Sequence, residues 1–219
     1  MHNLYNFVSG PLVWITFIIF IGGCLYRIIN MLVLVYQTEK FIFSYMSFKY
    51  SLRSILYWLT PFATVNMRRH PIMTIITFAF HLSLLIIPLF LSAHIILLEE
   101  AWNIVLFSLP DKLADFLTLI VIGSCIFFLI RRLTQPEVKY VSSSSDYLIL
   151  SIVAAPFITG FLAYHQVGGY QLFLILHILS GEIMLMAIPF TRLSHMLFSI
   201  FTRAYMGSEF GGIRKSRDW

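Results

Sequence analysis

Charged residues are scarce in this chain of 219 residues. They make up 11% of the sequence against 59% hydrophobic residues, and the mean hydropathy is +0.85. A soluble domain usually contains roughly 25% charged and 45–50% apolar residues, so the composition excludes an ordinary soluble protein. No polar stretch is long enough to build a separate soluble domain. We therefore expect an integral membrane protein that forms a single membrane domain over residues 1–219.

Cysteine is nearly absent as well, since the chain has only Cys24 and Cys125, both in apolar runs without a partner motif. The motif Cys-x-x-Cys-His does not occur, which excludes covalent c-type haem and cysteine-ligated iron–sulfur clusters. We interpret both cysteines as small apolar side chains within helices. The positive segment and small-residue cleavage site of a signal peptide are also lacking, so we expect a retained first helix.

Five apolar segments are long enough to cross about 30 Å of hydrocarbon, which requires about 20 helical residues. They cover approximately residues 5–28, 72–97, 114–131, 147–165 and 171–191. The predicted fold is therefore an all-α integral membrane protein whose five transmembrane helices form a bundle.

The basic residues fall on alternate sides of these spans. The first loop, the third loop and the tail after Pro189 hold thirteen of the fifteen Lys and Arg residues, whereas the second loop holds Lys112 alone. Arg27 lies at the end of the first span. The positive-inside rule then predicts an N-terminus outside and a C-terminus in the cytoplasm. Because the positive charge follows the membrane segments, it does not indicate nucleic-acid binding.

The first loop, residues 37–71, is unusually rich in aromatic side chains for a cytoplasmic loop. Its aromatic residues alternate with Lys49 and Arg53. One interpretation is an amphipathic helix that lies in the inner membrane interface. The other is a docking surface for a cytoplasmic subunit, and the sequence favours neither.

Histidines stand at four positions in or beside the second and fifth spans. His177 and His195 are eighteen residues apart, which on one helix is five turns and about 27 Å, so we expect both on one face at two depths. The second span runs in the opposite direction and contains His81 and His94. Antiparallel packing predicts an inner pair, His81 with His195, and an outer pair, His94 with His177.

Such facing imidazoles are what a bis-histidine haem b requires, and bundle interiors hold such cofactors. Zinc would need four converging ligands, whereas these histidines are spread over two depths. His94 would face about 140° away from His81 on a straight helix, although Pro88 between them can kink it. His165, at the outer end of the fourth span, is the alternative outer ligand.

Two stretches, residues 131–151 and 176–195, carry a resemblance to a known family. The first begins Arg-Arg-Leu-Thr-Gln-Pro, and the second contains Leu-His at its start and Pro-Phe-x-Arg-Leu near its end. They resemble the gamma (cytochrome b) subunit of respiratory nitrate reductase, and still more the b-type cytochrome subunits of the membrane redox complexes of sulfate-reducing prokaryotes. The resemblance covers nearly all of the chain beyond His70.

The resemblance implies two haems b, held by His81 with His195 and by His94 with His177. It also implies electron exchange in a prokaryotic inner membrane between menaquinone or ubiquinone and a cytoplasmic iron–sulfur subunit. Lys112 is the closest match to the quinone-site lysine of the family.

Other polar residues near the membrane boundaries are candidates for supporting roles. Asp115 lies at the level of the predicted quinone pocket, and Glu182 is a carboxylate inside the fifth span, where an ionisable group is costly and therefore a candidate for proton transfer or quinone contact. Guanidinium groups near the inner boundary can pair with haem propionates. The candidates for that role are Arg27, Arg131 and Arg192.

Two further functions remain open from the sequence. The same two haems could form a quinone-independent conduit between a periplasmic multihaem cytochrome c and the cytoplasmic partner. A haem-free transporter or structural anchor would instead use the histidines to line a proton path or only to pack. No catalytic residue is predicted in any of these cases, because the chain would only relay electrons.

Overall fold

The described chain, residues 2–217 of a computed structural model, is all-helical and contains no β-strand. Five of its helical segments are long and apolar enough to cross a membrane, namely His2–Thr38, Pro71–Phe90, Asp111–Thr134, Ser144–Tyr164 and Tyr170–Phe190. The predicted number of membrane-spanning helices is confirmed. The protein is thus a multi-pass, all-helical membrane protein.

The α-helices are, in chain order, α1 His2–Phe7, α2 Val13–Thr38, α3 Ile42–Tyr45, α4 Phe48–Leu59, α5 Val65–Arg69, α6 Pro71–Phe90, α7 Ser92–Trp102, α8 Asp111–Thr134, α9 Pro136–Tyr140, α10 Ser144–Tyr164, α11 Tyr170–Phe190 and α12 His195–Met206. Two π-helical segments, Val8–Leu12 and Gly207–Ile213, and a 3₁₀ turn, Arg192–Ser194, complete the described chain. The first π segment joins α1 to α2 in one span.

The second apolar segment is not one helix over residues 72–97, as the sequence predicted. Helix α6 contains Pro88 and ends at Phe90, and Leu91 has extended backbone angles (φ −69°, ψ 131°) before α7 begins. Proline lacks the N–H group of the helical hydrogen bond and its ring crowds the preceding turn, which weakens the helix at this point. His94 therefore lies on a separate helix from His81.

The prediction that His177 and His195 share one face of one helix is also wrong. Helix α11 ends at Phe190, directly after Pro189, and Thr191 is extended (φ −123°, ψ −173°). The Thr191 hydroxyl accepts a hydrogen bond from the backbone N–H of Leu193 and so caps the 3₁₀ turn that follows. His195 is the first residue of α12, so five uninterrupted turns do not connect the two histidines.

The chain divides into two compact units. Unit 1 comprises the N-terminal segment as far as Val8 together with Ile75–Gly181, and unit 2 comprises Ser9–Thr74 together with the segment from Glu182 onward. Within unit 1 the apolar core joins α6, α8 and α10. Its buried members are Ile87, Val121, Cys125 and Phe157.

Unit 2 contains the aromatic loop that the sequence left open, and most of this loop is helical. Helix α4 packs against α12 and the second π segment. The contact is close at Gly207, where an added Cβ would collide with the backbone oxygen of Tyr50. Small side chains are required wherever helices approach this closely.

Candidate functional site

His94 and His177 face each other within unit 1. Their ring centroids are 5.9 Å apart and their ring planes are within 9° of parallel. His94 comes from the first turn of α7, and His177 from the third turn of α11. The structure thus brings together the two residues that the sequence paired as the outer ligands, although the helix that carries His94 was predicted differently.

Each of these two rings is oriented by a hydrogen bond to the backbone carbonyl of a proline. The Nδ1 atom of His94 lies 3.0 Å from the oxygen of Pro88, and that of His177 lies 2.8 Å from the oxygen of Pro156. A carbonyl oxygen can only accept, so Nδ1 carries the proton in both rings. In a neutral imidazole the lone pair is then on Nε2, which is the form that binds a metal.

The break after α6 explains why the carbonyl of Pro88 is available. Because Leu91 is extended, the helical hydrogen bond that Pro88 would accept from the residue four positions on is lost at the end of α6. His94 then uses the carbonyl of Pro88. The approach of His177 to α10 depends instead on Gly160, because an added Cβ there would lie 2.8 Å from Nδ1 of His177.

The separation of the two rings fits a shared iron. Two metal–nitrogen bonds of about 2 Å, with the radius of an imidazole ring on either side, bring the centroids of two axial histidines to roughly 6 Å apart. The observed 5.9 Å matches this distance, whereas rings in direct stacking contact approach more closely. The centroid separation alone is therefore compatible with two axial imidazoles on one iron.

His81 and His195 each make the same kind of hydrogen bond as the two histidines of the outer pair. Nδ1 of His81 donates to the backbone oxygen of Thr77 over 2.8 Å, and Nδ1 of His195 donates to that of Arg192 over 2.9 Å. His81 belongs to unit 1 and His195 to unit 2. Each ring therefore carries a proton on Nδ1, as His94 and His177 do.

His165, the alternative outer ligand, has a different role in the structure. Its Nε2 atom lies 3.3 Å from a carboxylate oxygen of Asp115. The nitrogen that would bind iron is therefore occupied by an acid, and His94 is the histidine beside His177. Asp115, in the second turn of α8, is thus the side-chain partner of His165, which follows the last residue of α10.

The remaining predicted residues occupy distinct environments. The guanidinium of Arg27 lies 5.3 Å above the ring of Phe198 within unit 2. Arg131 is half-buried in the last turn of α8, Arg192 is exposed at the start of the 3₁₀ turn, and Lys112 is exposed in the first turn of α8. None of these positions by itself assigns a ligand.

Glu182 is buried, with 5% of its surface exposed. Both of its carboxylate oxygens are buried and have no hydrogen-bond partner among residues 2–217. A buried polar group without a partner costs about 1–3 kcal/mol, and more if it is charged. Such a cost marks Glu182 as a functional candidate, as the sequence predicted.

A cavity of about 330 Å³ in unit 1 was not predicted from the sequence. It lies between α1 and the first turns of α11, and its lining residues are His2, Tyr5, Tyr170, Gln171, Leu174 and Ile175. Leu174 is one helical turn from His177. The volume falls in the range of small-molecule pockets, and the walls combine aromatic rings with hydrogen-bonding groups. In the sequence, only the polar residues near the start of α11 could have indicated this cavity.

A cluster of three or more His, Cys, Asp or Glu side chains that could hold a metal ion is not found in the described part of the chain. Zinc-type sites use three or four such ligands. A haem iron takes only two axial ligands from the protein.

These features define an all-helical membrane protein with a matched pair of histidines. The chain is 35% identical over 211 residues to a protein of Nitratidesulfovibrio vulgaris strain Hildenborough, and the match covers 94% of this chain and 93% of that protein. The chain therefore belongs to the same family as this protein, whose name, "Protein", states no function. No protein-family model and no solved structure matches the chain.

Proposed function

We propose that this protein is the dihaem cytochrome b subunit of a membrane respiratory complex. It would transfer electrons across the membrane between menaquinone or ubiquinone and a cytoplasmic iron–sulfur subunit. The facing pair of His94 and His177, with ring centroids 5.9 Å apart and both Nδ1 atoms bonded to carbonyls, is the observation that carries this proposal. The resemblance of residues 131–151 and 176–195 to cytochrome b subunits supports it.

In this proposal His94 and His177 hold the outer haem, and the resemblance assigns His81 and His195 to the inner one. Bound haem iron supplies reversible one-electron transfer. The carbonyl bonds of the histidines keep the proton on Nδ1, so that each ring presents Nε2 in a fixed direction. The arginines at positions 27, 131 and 192 remain the proposed partners of the haem propionates.

The quinone head group is assigned to the cavity beside α1. His2 and Gln171 offer hydrogen-bonding groups there, and two tyrosines offer flat surfaces. Because one lining residue, Leu174, is one helical turn from His177, a quinone in this cavity would lie on the side of α11 that leads to the outer haem. A quinol also releases protons when it is oxidised, and the paired Asp115 and His165 are groups that can accept them.

Lys112 and Glu182 keep the roles proposed from the sequence. Lys112 does not line this cavity and is proposed, by the resemblance alone, as the counterpart of the family's quinone-site lysine. Glu182 would carry a proton within the membrane. The proposed location is the inner membrane of a prokaryote, with the N-terminus outside, the C-terminus in the cytoplasm and the iron–sulfur partner on the cytoplasmic side.

The test of this function is the variant His177→Ala in the full chain, purified in detergent and compared with the wild type. We expect one haem b to be lost and one to remain, and we expect the wild type to be reduced by menaquinol unless a quinone-site inhibitor is added. Retention of both haems in the variant would contradict the assignment of the outer pair.

Quinol reduction of the wild type separates the main proposal from its nearest rival. A chain that holds two haems but is reduced only by a reduced multihaem cytochrome c, and never by quinol, would be the quinone-independent conduit. In that case the cavity beside α1 would not be a quinone site, although the histidine assignment would stand.

A further inference from the structure

Helix α4 buries its two serine side chains and exposes a stripe of apolar ones. Ser51 and Ser54 are buried, with 9% and 0% of their surface exposed. The outward stripe has the spacing of one helix face and consists of Phe48, Leu52, Leu56 and Leu59, which are 82%, 42%, 52% and 67% exposed. A helix on the surface of a soluble protein would instead bury its apolar face and expose its polar face to water.

Hydrogen bonds hold the serine face against the C-terminal part of unit 2. The Ser51 hydroxyl donates to the backbone oxygen of Ala204 over 3.1 Å and lies 3.0 Å from the hydroxyl of Ser208. The guanidinium of Arg203 donates to the Ser54 hydroxyl over 3.1 Å. Rotating α4 about its axis would break these bonds, so the apolar stripe is fixed in its outward direction.

The charged residues of α4 are both basic. Lys49 and Arg53 lie along one edge of the apolar stripe, and their cationic groups are 5.9 and 4.9 Å from the ring centroid of Tyr50. The sequence of α4 contains no acidic residue. An apolar stripe edged by positive charge is complementary to an anionic lipid surface, where aliphatic side chains enter the acyl boundary and cations meet phosphates.

The position of α4 in the chain places it near a membrane surface. Nine residues separate it from the end of α2 at Thr38, and eleven separate it from the start of α6 at Pro71. Both flanking helices belong to membrane-spanning segments, and a loop between consecutive spans has both ends at one surface. Chains of this length reach at most about 30–40 Å, so α4 is tethered to that surface at each end.

We propose that α4 is an in-plane membrane anchor whose apolar stripe is immersed in the lipid interface and whose Lys49 and Arg53 bind the phosphates of anionic lipids. The proposal does not depend on haem or quinone binding. Of the two interpretations that the sequence left open for this loop, it selects the lipid-facing one, because the serine face of α4 is bonded within unit 2 and the exposed stripe is apolar.

The test uses spin labels on the full chain in nanodiscs of phosphatidylglycerol and phosphatidylcholine. Leu52→Cys and Leu56→Cys place labels on the stripe, and Glu137→Cys places a control label on an exposed residue of α9. The native cysteines are buried, and the labelled wild type measures their background. We expect collision with oxygen to be several-fold higher, and with a water-soluble nickel complex several-fold lower, at positions 52 and 56 than at 137.

Equal accessibility of positions 52, 56 and 137 to the nickel complex would overturn the proposal. So would shielding of the stripe that develops only when a native partner subunit is added, because the stripe would then be a protein-docking surface.

The lipid-phosphate part of the proposal has its own control. Lys49→Ala combined with Arg53→Ala is expected to raise nickel accessibility at position 52 in anionic nanodiscs, to the level seen in nanodiscs of phosphatidylcholine alone. Arg69→Ala combined with Lys139→Ala removes the same charge outside α4 and is expected to leave the accessibility unchanged. An equal effect of the two double variants would refute a specific role for Lys49 and Arg53.

Discussion

The substitution Gly160→Ala tests the outer histidine pair without removing either histidine. An added Cβ would lie 2.8 Å from Nδ1 and 2.9 Å from Cε1 of His177, whereas ordinary contact begins at 3.4 Å. The imidazole would have to move by about 0.6 Å. That shift acts on the atom that donates to the carbonyl of Pro156 over 2.8 Å, so the ring would lose the bond that orients it.

Loss of such an orienting bond typically weakens a metal site 10–100-fold, which corresponds to about 1.4–2.7 kcal/mol. We therefore expect Gly160→Ala to lose the outer haem during purification or to shift its midpoint potential, while the inner haem keeps its spectrum. The assay is haem content by the pyridine haemochromogen method, combined with a redox titration that resolves the two haems.

The matched control is Gly123→Ala on α8, where an added Cβ would meet no described atom within 4 Å. This variant adds the same methyl group to a helix of the same unit and should retain both haems. Wild-type haem content and potential in Gly160→Ala would refute the assigned role of His177, and equal losses in the two glycine variants would show that helix perturbation alone is responsible.

Three further predictions concern Glu182, Glu209 and Gly207. Glu182→Gln removes the cost of a buried carboxylate and should raise the thermal unfolding temperature, with slower quinol oxidation if this carboxylate carries a proton; an unchanged temperature and rate would contradict both effects. The pKa of Glu209 is held below its ordinary value of 4.5 by hydrogen bonds from Tyr205, Arg214 and Tyr45. Its stabilisation of the C-terminal segment is therefore complete above about pH 4.5 and is lost as the pH falls below it, which limited proteolysis should detect in the wild type but not in Glu209→Gln. Gly207→Ala forces a methyl group against the backbone of α4 and should destabilise unit 2 by about 1–3 kcal/mol in chemical denaturation, whereas Gly22→Ala should not.

The sequence predicts the membrane-spanning segments well because span length and apolar composition are properties of the local chain. Breaks within the apolar segments were harder to predict. Pro88 and Pro189 indicated where the helices could be interrupted, but a proline can either bend a helix or end it. At Pro189 the helix ends, and Thr191 caps the turn that follows. The sequence therefore placed His195 on the wrong helix.

The proximity of His94 to His177 was predicted, but for reasons that were incomplete. On a straight helix His94 would have faced away, and only the extended conformation of Leu91 turns α7. The hydrogen bonds to the carbonyls of Pro88 and Pro156 arise from tertiary packing, so no sequence pattern could have predicted them. The same holds for the contact of Gly160 with His177, since the spacing of 17 residues between them has no meaning without the fold.

The buried serine face of α4 illustrates a further limit of sequence patterns. Hydrophobic periodicity shows that α4 is amphipathic, but it does not tell which face is turned inward. In a membrane protein the apolar face can point to lipid, and the inward direction of Ser51 and Ser54 is visible only from their contacts with α12 and the π segment.

The most direct test of the central claim is the haem content of the purified full chain. The account predicts a red protein with the reduced absorption bands of a b-type cytochrome and two non-covalent haems per polypeptide. A colourless chain, produced in cells that fill a known cytochrome b with haem under the same conditions, would contradict it.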